Sequence, residues 1–92
     1  MRSIIQAKQE CLVCRTTYNL HSHHCIGGTA NRKQSEKYGL KVWLCVRHHN
    51  MSNEGVHFNR ELDLKVKRLA QRKFEETHTR EEFRAAFGKS YL

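Results

Sequence analysis

The sequence predicts a small α+β protein whose N-terminal part is held together by a bound metal ion and whose C-terminal part is helical. The chain has 92 residues, of which 38% are hydrophobic, so its apolar core is small and benefits from an extra cross-link. Residues 1–57 hold all 4 cysteines and most of the 7 histidines. Residues 58–92 are highly charged, as surface helices are. We therefore predict one domain, residues 1–92, with a core near residues 10–58 and a helical extension over residues 59–92.

The net charge of the chain points to a polyanionic partner. Lysine and arginine total 17 against 9 acidic residues, which gives a formal net charge of +8. Nucleic acid is the simplest partner for such a surplus, and a merely soluble basic domain is the alternative. No apolar stretch approaches the roughly 18 residues of a membrane span. The apolar run at the N-terminus stops after Ile4-Ile5, unlike that of a signal peptide. We therefore expect a cytoplasmic protein, in which clustered cysteines usually bind metal.

The predicted core alternates short strands with short helical segments. Apolar runs broken by polar turns in residues 10–26 predict two strands that form a hairpin, which ends at Gly27-Gly28. The polar and basic segment 29–38 predicts a loop with one helical turn. A brief apolar stretch follows at residues 40–44, and residues 45–52 fit a short helix.

Two further helices are predicted in the extension. Asn59 is a suitable N-cap for a helix that continues to about residue 77. The stripe expected to be buried consists of Leu62, Val66, Leu69 and Lys73, with Phe74 beside it. Thr79 with Glu82 forms a capping box, and Gly88 is a typical C-terminal stop, so a last helix is predicted near residues 80–87.

Two pairs of potential zinc ligands share the same spacing. Cys11 and Cys14 form the first pair, and Cys45 and His48 form the second. Two side chains separated by two residues on a turn can converge on one tetrahedral ion. We therefore predict a structural Zn²⁺ bound by these four residues. The competing interpretation, a Cys11–Cys14 redox pair, needs a thioredoxin-like pattern that this sequence lacks.

Two other potential metal ligands, His49 and Cys25, fall outside this predicted set of four. Either His48 or His49 could reach the ion, but the spacing favours His48. His49 then points about 100° away round the helix, towards something other than the zinc. Cys25 stands between His24 and Ile26 and is expected to be a small buried apolar residue.

The other histidines of the core have chemistry suited to phosphodiester cleavage. His23 and His24 are adjacent, and His49 and His57 follow the pair Cys45 and His48. Imidazole serves both as a metal ligand and as a general base near neutral pH. Hydrolysis of a phosphodiester needs a base for the attacking water and a divalent cation for the charge on the leaving oxygen. The alternative for each histidine taken singly is a solvated or hydrogen-bonded side chain.

These motifs resemble those of HNH endonucleases. The segment His23-His24-Cys25-Ile26-Gly27-Gly28, followed by Leu44-Cys45-Val46-Arg47-His48-His49, is similar to the strand and helix motifs of that family. The resemblance covers about residues 10–58, and it is closest to small phage and bacterial members, including recombination-associated phage nucleases. It implies a zinc-stapled ββα-metal core with a C-terminal helical extension and a metal-dependent DNA endonuclease activity.

The resemblance implies a role for each matching histidine. His24 matches the general base, and His23 and His49 match ligands of a catalytic divalent ion, for which Mg²⁺, Mn²⁺, Ni²⁺ and Zn²⁺ are all open. Family members often supply a further His or Asn near that helix, and Asn53 and His57 are the candidates here. His57 is favoured because imidazole binds first-row metals better than an amide does.

One family feature is missing from its usual place. The asparagine that orients the base usually stands a few residues before Leu-Cys, where this chain has Gly39-Leu40. Asn31 or a backbone carbonyl is the expected substitute. The resemblance also implies products with a 5′ phosphate and a 3′ hydroxyl. It further implies a phage or prophage protein of recombination or packaging in the cytoplasm of a bacterial host.

DNA is the partner that the charge and the resemblance imply together. The cations expected to contact phosphates are Arg32, Lys33 and Lys37 near the site and Lys65, Arg68 and Arg72 on the C-terminal helix. Such contacts supply affinity that is independent of base sequence and falls steeply with salt. The alternative is a solvated helix face, partly neutralised by neighbouring acidic residues.

Two other functions stay open at this point. A non-catalytic zinc module that binds nucleic acid would hold one metal ion per chain and would not need His24. A protein-interaction module would instead use the face formed by Leu62, Val66 and Leu69 as its dimer or partner surface.

Overall fold

The computed structural model describes residues 2–50, Gly55 and residues 59–92. Within them the chain forms a small α+β arrangement of two strands and four helices. In chain order these are β1 (Leu20–His24), α1 (Thr29–Tyr38), β2 (Lys41–Cys45), α2 (Val46–Asn50), α3 (Arg60–Phe74) and α4 (Arg80–Phe87). The two candidate ligands Asn53 and His57 lie outside the described residues.

The two strands form one antiparallel sheet, with His24 opposite Lys41 at one end and Leu20 opposite Cys45 at the other. The hairpin expected within residues 10–26 is therefore wrong, because β1 pairs with a strand that follows α1. The reason lies in residues 11–16, which form a turn that we call the cysteine turn. The backbone N–H of Cys11 donates to the carbonyl of Thr16, and the N–H of Arg15 donates to the carbonyl of Cys11. These bonds close a compact loop and leave no extended segment there to pair with β1.

Helix α1 replaces the loop expected over residues 29–38. Its sequence has few apolar residues, so the usual periodic signal is weak. Tertiary contacts supply what the periodicity lacks: the buried Ser35 donates to the carbonyl of Ile26, and Tyr38 packs edge-on against Phe74. Gly39 ends the helix in the left-handed conformation, with φ of 70°, which glycine adopts without steric cost.

Strand β2 and helix α2 lie where short elements were expected, with small shifts. The strand covers Lys41–Cys45 instead of residues 40–44, and the helix begins at Val46 and is described as far as Asn50. The backbone N–H of Val46 donates to the carbonyl of Asn19, just before β1. This bond ties the start of α2 to the strand that carries the histidines.

Both helices of the extension begin at the predicted caps. The Asn59 side chain accepts a hydrogen bond from the N–H of Leu62 at 3.1 Å, and Thr79 and Glu82 form the complete capping box. Helix α3 ends at Phe74 instead of continuing to residue 77. Helix α4 has the predicted bounds, and Gly88 follows it in the left-handed conformation.

One hydrophobic cluster joins the sheet, the cysteine turn and the extension. Its buried members are Cys11, Cys25, Ile26, Leu40, Val42, Leu44, Cys45, Val66, Ala70, Phe74, Phe83 and Phe87. The predicted stripe on α3 is partly wrong, because Ala70 and Gln71 are buried in place of Leu69 and Lys73. Val66 is 1% exposed, so the face proposed for a protein-interaction module belongs to the core.

Candidate functional site

The four predicted zinc ligands converge at the junction of the cysteine turn, β2 and α2. Their ligand atoms all lie within 4.8 Å of one another. The Sγ atoms of Cys14 and Cys45 are 3.7 Å apart, and Nδ1 of His48 lies 3.2 Å from Sγ of Cys45 and 3.7 Å from Sγ of Cys11. A tetrahedral ion with bonds of about 2.3 Å to sulfur spaces its sulfurs by about 3.8 Å. These four residues, called the Cys11 cluster below, can therefore bind a metal ion such as zinc.

The protonation chemistry of the buried thiols differs within this cluster. Burial opposes ionisation of Cys11, but hydrogen bonds from the backbone N–H groups of Cys45, Cys14 and Val13 outweigh it and lower the pKa of the Cys11 thiol to about 6. Burial raises the pKa of Cys45, which lies beside two other cysteines. One thiol is thus prepared for the thiolate form that a metal binds, and a bound cation would favour the same form of its neighbours.

Cys25 takes no part in the cluster. It is 1% exposed in the hydrophobic core, and burial, reinforced by the charge of Asp63, raises the pKa of its thiol to about 12. The side chain is therefore a protonated, inert thiol, and the prediction of a small buried apolar residue is confirmed.

Three imidazoles meet on the side of the sheet that faces α2. His21 and His23 are two residues apart on β1 and so project to the same face. Nδ1 of His49 on α2 lies 2.8 Å from Nδ1 of His21, and the ring centroid of His49 lies 5.3 Å from that of His23. His49 thus turns away from the Cys11 cluster, as its position next to His48 predicts, and towards the strand histidines.

His21 is a member of this group that the sequence motifs did not single out. The signal was present in the alternation of β1, because a strand places residues 21 and 23 on one face. The adjacent pair His23 and His24 masked it. In the part of the chain that the structure describes, only the Cys11 cluster brings three or more ligand atoms within 4.8 Å of one another. His21, His23 and His49, called the histidine cluster below, are a looser assembly.

His24 projects to the opposite face of β1 and meets Glu36 of helix α1. Its Nε2 atom lies 3.2 Å from Oε1 of Glu36, and Oε2 of Glu36 lies 2.7 Å from Nζ of Lys41. Hydrogen bonds from Lys41 and His24 hold the pKa of the Glu36 carboxyl well below its usual range. The partner of His24 in this structure is therefore a carboxylate, in place of the expected Asn31 or backbone carbonyl.

The position of Asn31 explains this difference. It lies in the first part of α1, where its side-chain nitrogen lies close to Gly28. Glu36 lies five residues further along α1, where its carboxylate contacts Lys41 at the start of β2. Because these residues were expected in a loop, no predicted geometry brought Glu36 to His24.

One open cavity collects the histidines from both faces at the end of β1. It has a volume of about 450 Å³, and its lining includes His23, His24, His49 and Arg32 together with Gly27-Gly28. The His24 side chain is 29% exposed, so water reaches it. Three imidazoles and a guanidinium therefore line the same space.

The other predicted cations have different surroundings. Lys33 lines a shallow groove with His24 and Glu36, and Nζ of Lys37 lies 5.3 Å from the ring centroid of Tyr38. Lys65, Arg68 and Arg72 are exposed on α3, where they share one face at helical spacing. Their neighbours Lys67, Lys73 and Arg80 instead form ion pairs with Asp63, Glu76 and Glu75.

Comparison with known proteins finds no matching family model, no matching curated protein and no matching solved structure. Among the residues that the structure describes, none of the helices has the length and apolar character that crossing a membrane requires. The chemistry of the two sites themselves is therefore the basis for inferring a function.

Proposed function

We propose that this chain is a metal-dependent DNA endonuclease of the HNH type. The observation that carries the proposal is the cavity in which His23, His24, His49 and Arg32 meet. A phosphodiesterase needs a proton acceptor, a divalent cation and a positive charge for the phosphate. The cavity supplies candidates for the first and the third, and imidazole ligands for the second.

The arrangement of elements supports a ββα-metal core. Strands β1 and β2 and helix α2 supply the two strands and the helix of such a unit, with α1 inserted between the strands. The Cys11 cluster cross-links the cysteine turn to the end of β2 and to α2. A zinc ion there would fix α2, and with it His49, against the histidines of β1.

The histidine cluster is suited to binding a divalent transition metal. Neutral imidazole suits Zn²⁺, Ni²⁺ and related ions better than it suits Mg²⁺. His23 and His49 are the proposed ligands, with His57 or Asn53 as a third, and His21 is an additional candidate because it lies against His49. A divalent ion bound there would offset the charge that develops on the leaving 3′ oxygen.

His24 is the proposed general base, and its hydrogen bond indicates which ring nitrogen would act. The ionised carboxylate of Glu36 only accepts hydrogen bonds, so the contact of 3.2 Å requires that Nε2 of His24 donate. In the neutral imidazole this leaves Nδ1 as the proton acceptor. Glu36 then favours the imidazolium that forms when Nδ1 takes a proton from water.

Cleavage of supercoiled plasmid tests the proposal. Wild-type protein purified with its zinc is mixed with Mg²⁺, Mn²⁺, Ni²⁺ or Zn²⁺ in turn, beside a His24→Ala variant and a His78→Ala control outside the cavity. We expect at least one ion to support nicking or linearisation, a loss of about 10²–10⁴-fold in His24→Ala, and normal cleavage by His78→Ala. A folded, zinc-loaded wild type that cuts with none of the ions would instead favour the non-catalytic zinc module.

A further inference from the structure

A second cavity lies between the N-terminal segment and the outer edge of β2. Four hydrogen bonds fix the segment there. The N–H of Ile4 donates to the carbonyl of Gly39, and the hydroxyl of Ser3 donates to the carbonyl of Lys41. The N–H of Trp43 donates to Oε1 of Gln6, and the N–H of Leu12 donates to the carbonyl of Trp43. The cavity that remains has a volume of about 720 Å³. It is open to solvent on one side, and the strand edge and the segment form its walls.

The lining combines an aromatic ring, cations and neutral hydrogen-bonding groups. Trp43 is half-buried, and Arg2 and Lys41 line the same space with Gln6 and Gln9. None of the described residues that line it is acidic. Lys41 is engaged by Glu36, whereas Arg2 is exposed and makes no ion pair with the described residues. An aromatic face beside a cation is the combination that binds a nucleobase and its phosphate.

This cavity adjoins the one that contains His24. Ser22 lines both, and in the sheet Ser22 stands opposite Trp43 while His24 stands opposite Lys41. Because Ser22 and His24 are two residues apart, all four side chains project to the same face, and the two pairs are about 7 Å apart along the strand. A chain of nucleotides that passes His24 would therefore reach Trp43 next.

We propose that this second cavity binds one unpaired nucleotide of a DNA strand, with its base on the Trp43 indole and its phosphate at Arg2. Its place beside the scissile phosphate follows from the proposed function, while the binding of the nucleotide follows from the cavity itself. The substrate class is then DNA with an unpaired stretch next to the cut, such as a flap, a fork or a single strand. A fully paired duplex holds its bases in the stack and presents none to the indole.

Fluorescence measures this binding directly, because Trp43 is the only tryptophan in the chain. His24→Ala protein with its zinc, and without added divalent ion, is titrated with a short single-stranded DNA and with a blunt duplex of the same sequence. We expect the single strand to quench Trp43 and the duplex to leave it nearly unchanged. A single strand that causes no quenching overturns the proposal, and so does equal quenching by the duplex. Stronger quenching by RNA of the same sequence would reassign the cavity to RNA and overturn it as well.

Variants separate stacking and phosphate binding from general charge. With a labelled single strand, Trp43→Ala should weaken binding by about tenfold, the usual loss when a base loses its aromatic partner, and Trp43→Phe should restore most of it. Arg2→Ala should weaken binding more than Lys8→Ala, which removes the same charge from the same segment outside the cavity. Equal losses in Arg2→Ala and Lys8→Ala would overturn the assignment of the phosphate.

The plasmid assay keeps this proposal distinct from the proposed function. If single-stranded DNA quenches Trp43 in a protein that cuts no DNA, the proposed nucleotide binding is supported and the proposed endonuclease activity is rejected. If the protein cuts DNA but its Trp43 is not quenched, the proposed endonuclease activity is supported and the proposed nucleotide binding is rejected.

Discussion

His24 and Lys41 stand directly opposite each other in the sheet, and the carboxylate of Glu36 connects them, at 3.2 Å from the imidazole and 2.7 Å from the ammonium. The lysine thus holds the carboxylate, and the carboxylate holds the ring. Since a ring that is bonded at Nε2 has a fixed orientation and tautomer, the three residues form a positioning device for the proposed base.

Replacing Glu36 tests that device without touching the base. In Glu36→Gln we expect kcat for DNA cleavage to fall by about 10–100-fold, the range seen when an outer partner of a site histidine is removed, while KM changes little. The Glu36→Gln protein should stay folded, because the carboxylate lies at the surface. Steady-state cleavage rates measure the effect, and Glu61→Gln, an exposed acid of α3, is the matched control. A Glu36→Gln protein with wild-type kcat would show that the contact with His24 has no role in the reaction.

The Cys11 cluster, if it binds zinc as we predict, gives a different response from each of two buried cysteines. Cys11→Ser removes a ligand, and because structural zinc contributes on the order of 10 kcal/mol to the folding of small domains, we expect an unfolded or aggregated chain. Cys25→Ala removes a buried thiol outside the cluster and should keep both the fold and the zinc. Circular dichroism and metal analysis measure both outcomes. The prediction fails if Cys11→Ser melts like wild type and contains no zinc.

Neighbouring histidines on α2 are expected to serve different ions. His48 lies against the cysteines and His49 against His21. We expect His48→Ala to lose the structural zinc and the fold, and His49→Ala to keep both. His49→Ala should instead lose the second divalent ion and DNA cleavage, because it removes a proposed ligand. Thermal melting and equilibrium dialysis with Ni²⁺ separate the two variants, and a reversed pattern would exchange the roles of the two residues.

Local signals predicted the parts of this molecule that local chemistry determines. The caps Asn59 and Thr79 and the turn of Cys11 and Cys14 depend on residues within a few positions, and the structure places them as predicted. The second pair of ligands, Cys45 and His48, was found because its spacing repeats that of the first. His21 could also have been predicted, because the alternation of side chains along one strand places it on the same face as His23.

Non-local pairing was not predictable in the same way. The partner of β1 comes after a helix whose stability depends on Ser35 and Tyr38, and neither gives a periodic apolar signal. The wrong hairpin and the missed helix had one consequence for the site. Without α1 there was no reason to place Glu36 beside His24, so a more familiar amide, Asn31, was expected instead.

The exposed cations of α3 provide a final test, in which ion pairing decides which charges reach DNA. Lys65, Arg68 and Arg72 are exposed, and Nε of Arg68 donates to the carbonyl of Tyr91. Deleting residues 59–92 would confuse this test, because Val66, Phe74, Phe83 and Phe87 belong to the core. Substitution of the three cations by glutamine keeps good helix formers on α3. It removes three charges, together with the hydrogen bond from Arg68 to Tyr91. We expect weaker DNA binding and a salt dependence whose slope is smaller by about 0.9 for each phosphate that the variant no longer neutralises.

The matched control replaces three cations of α3 and α4 that already have acidic partners, Lys67, Lys73 and Arg80. It removes the same formal charge, so any difference from the first triple variant reflects position. Because a paired cation is already largely neutralised, the control should change the salt slope less. Fluorescence anisotropy with labelled duplex DNA at several salt concentrations measures both slopes. Equal slopes for the two triple variants would mean that α3 contributes only general positive charge and binds no particular phosphate.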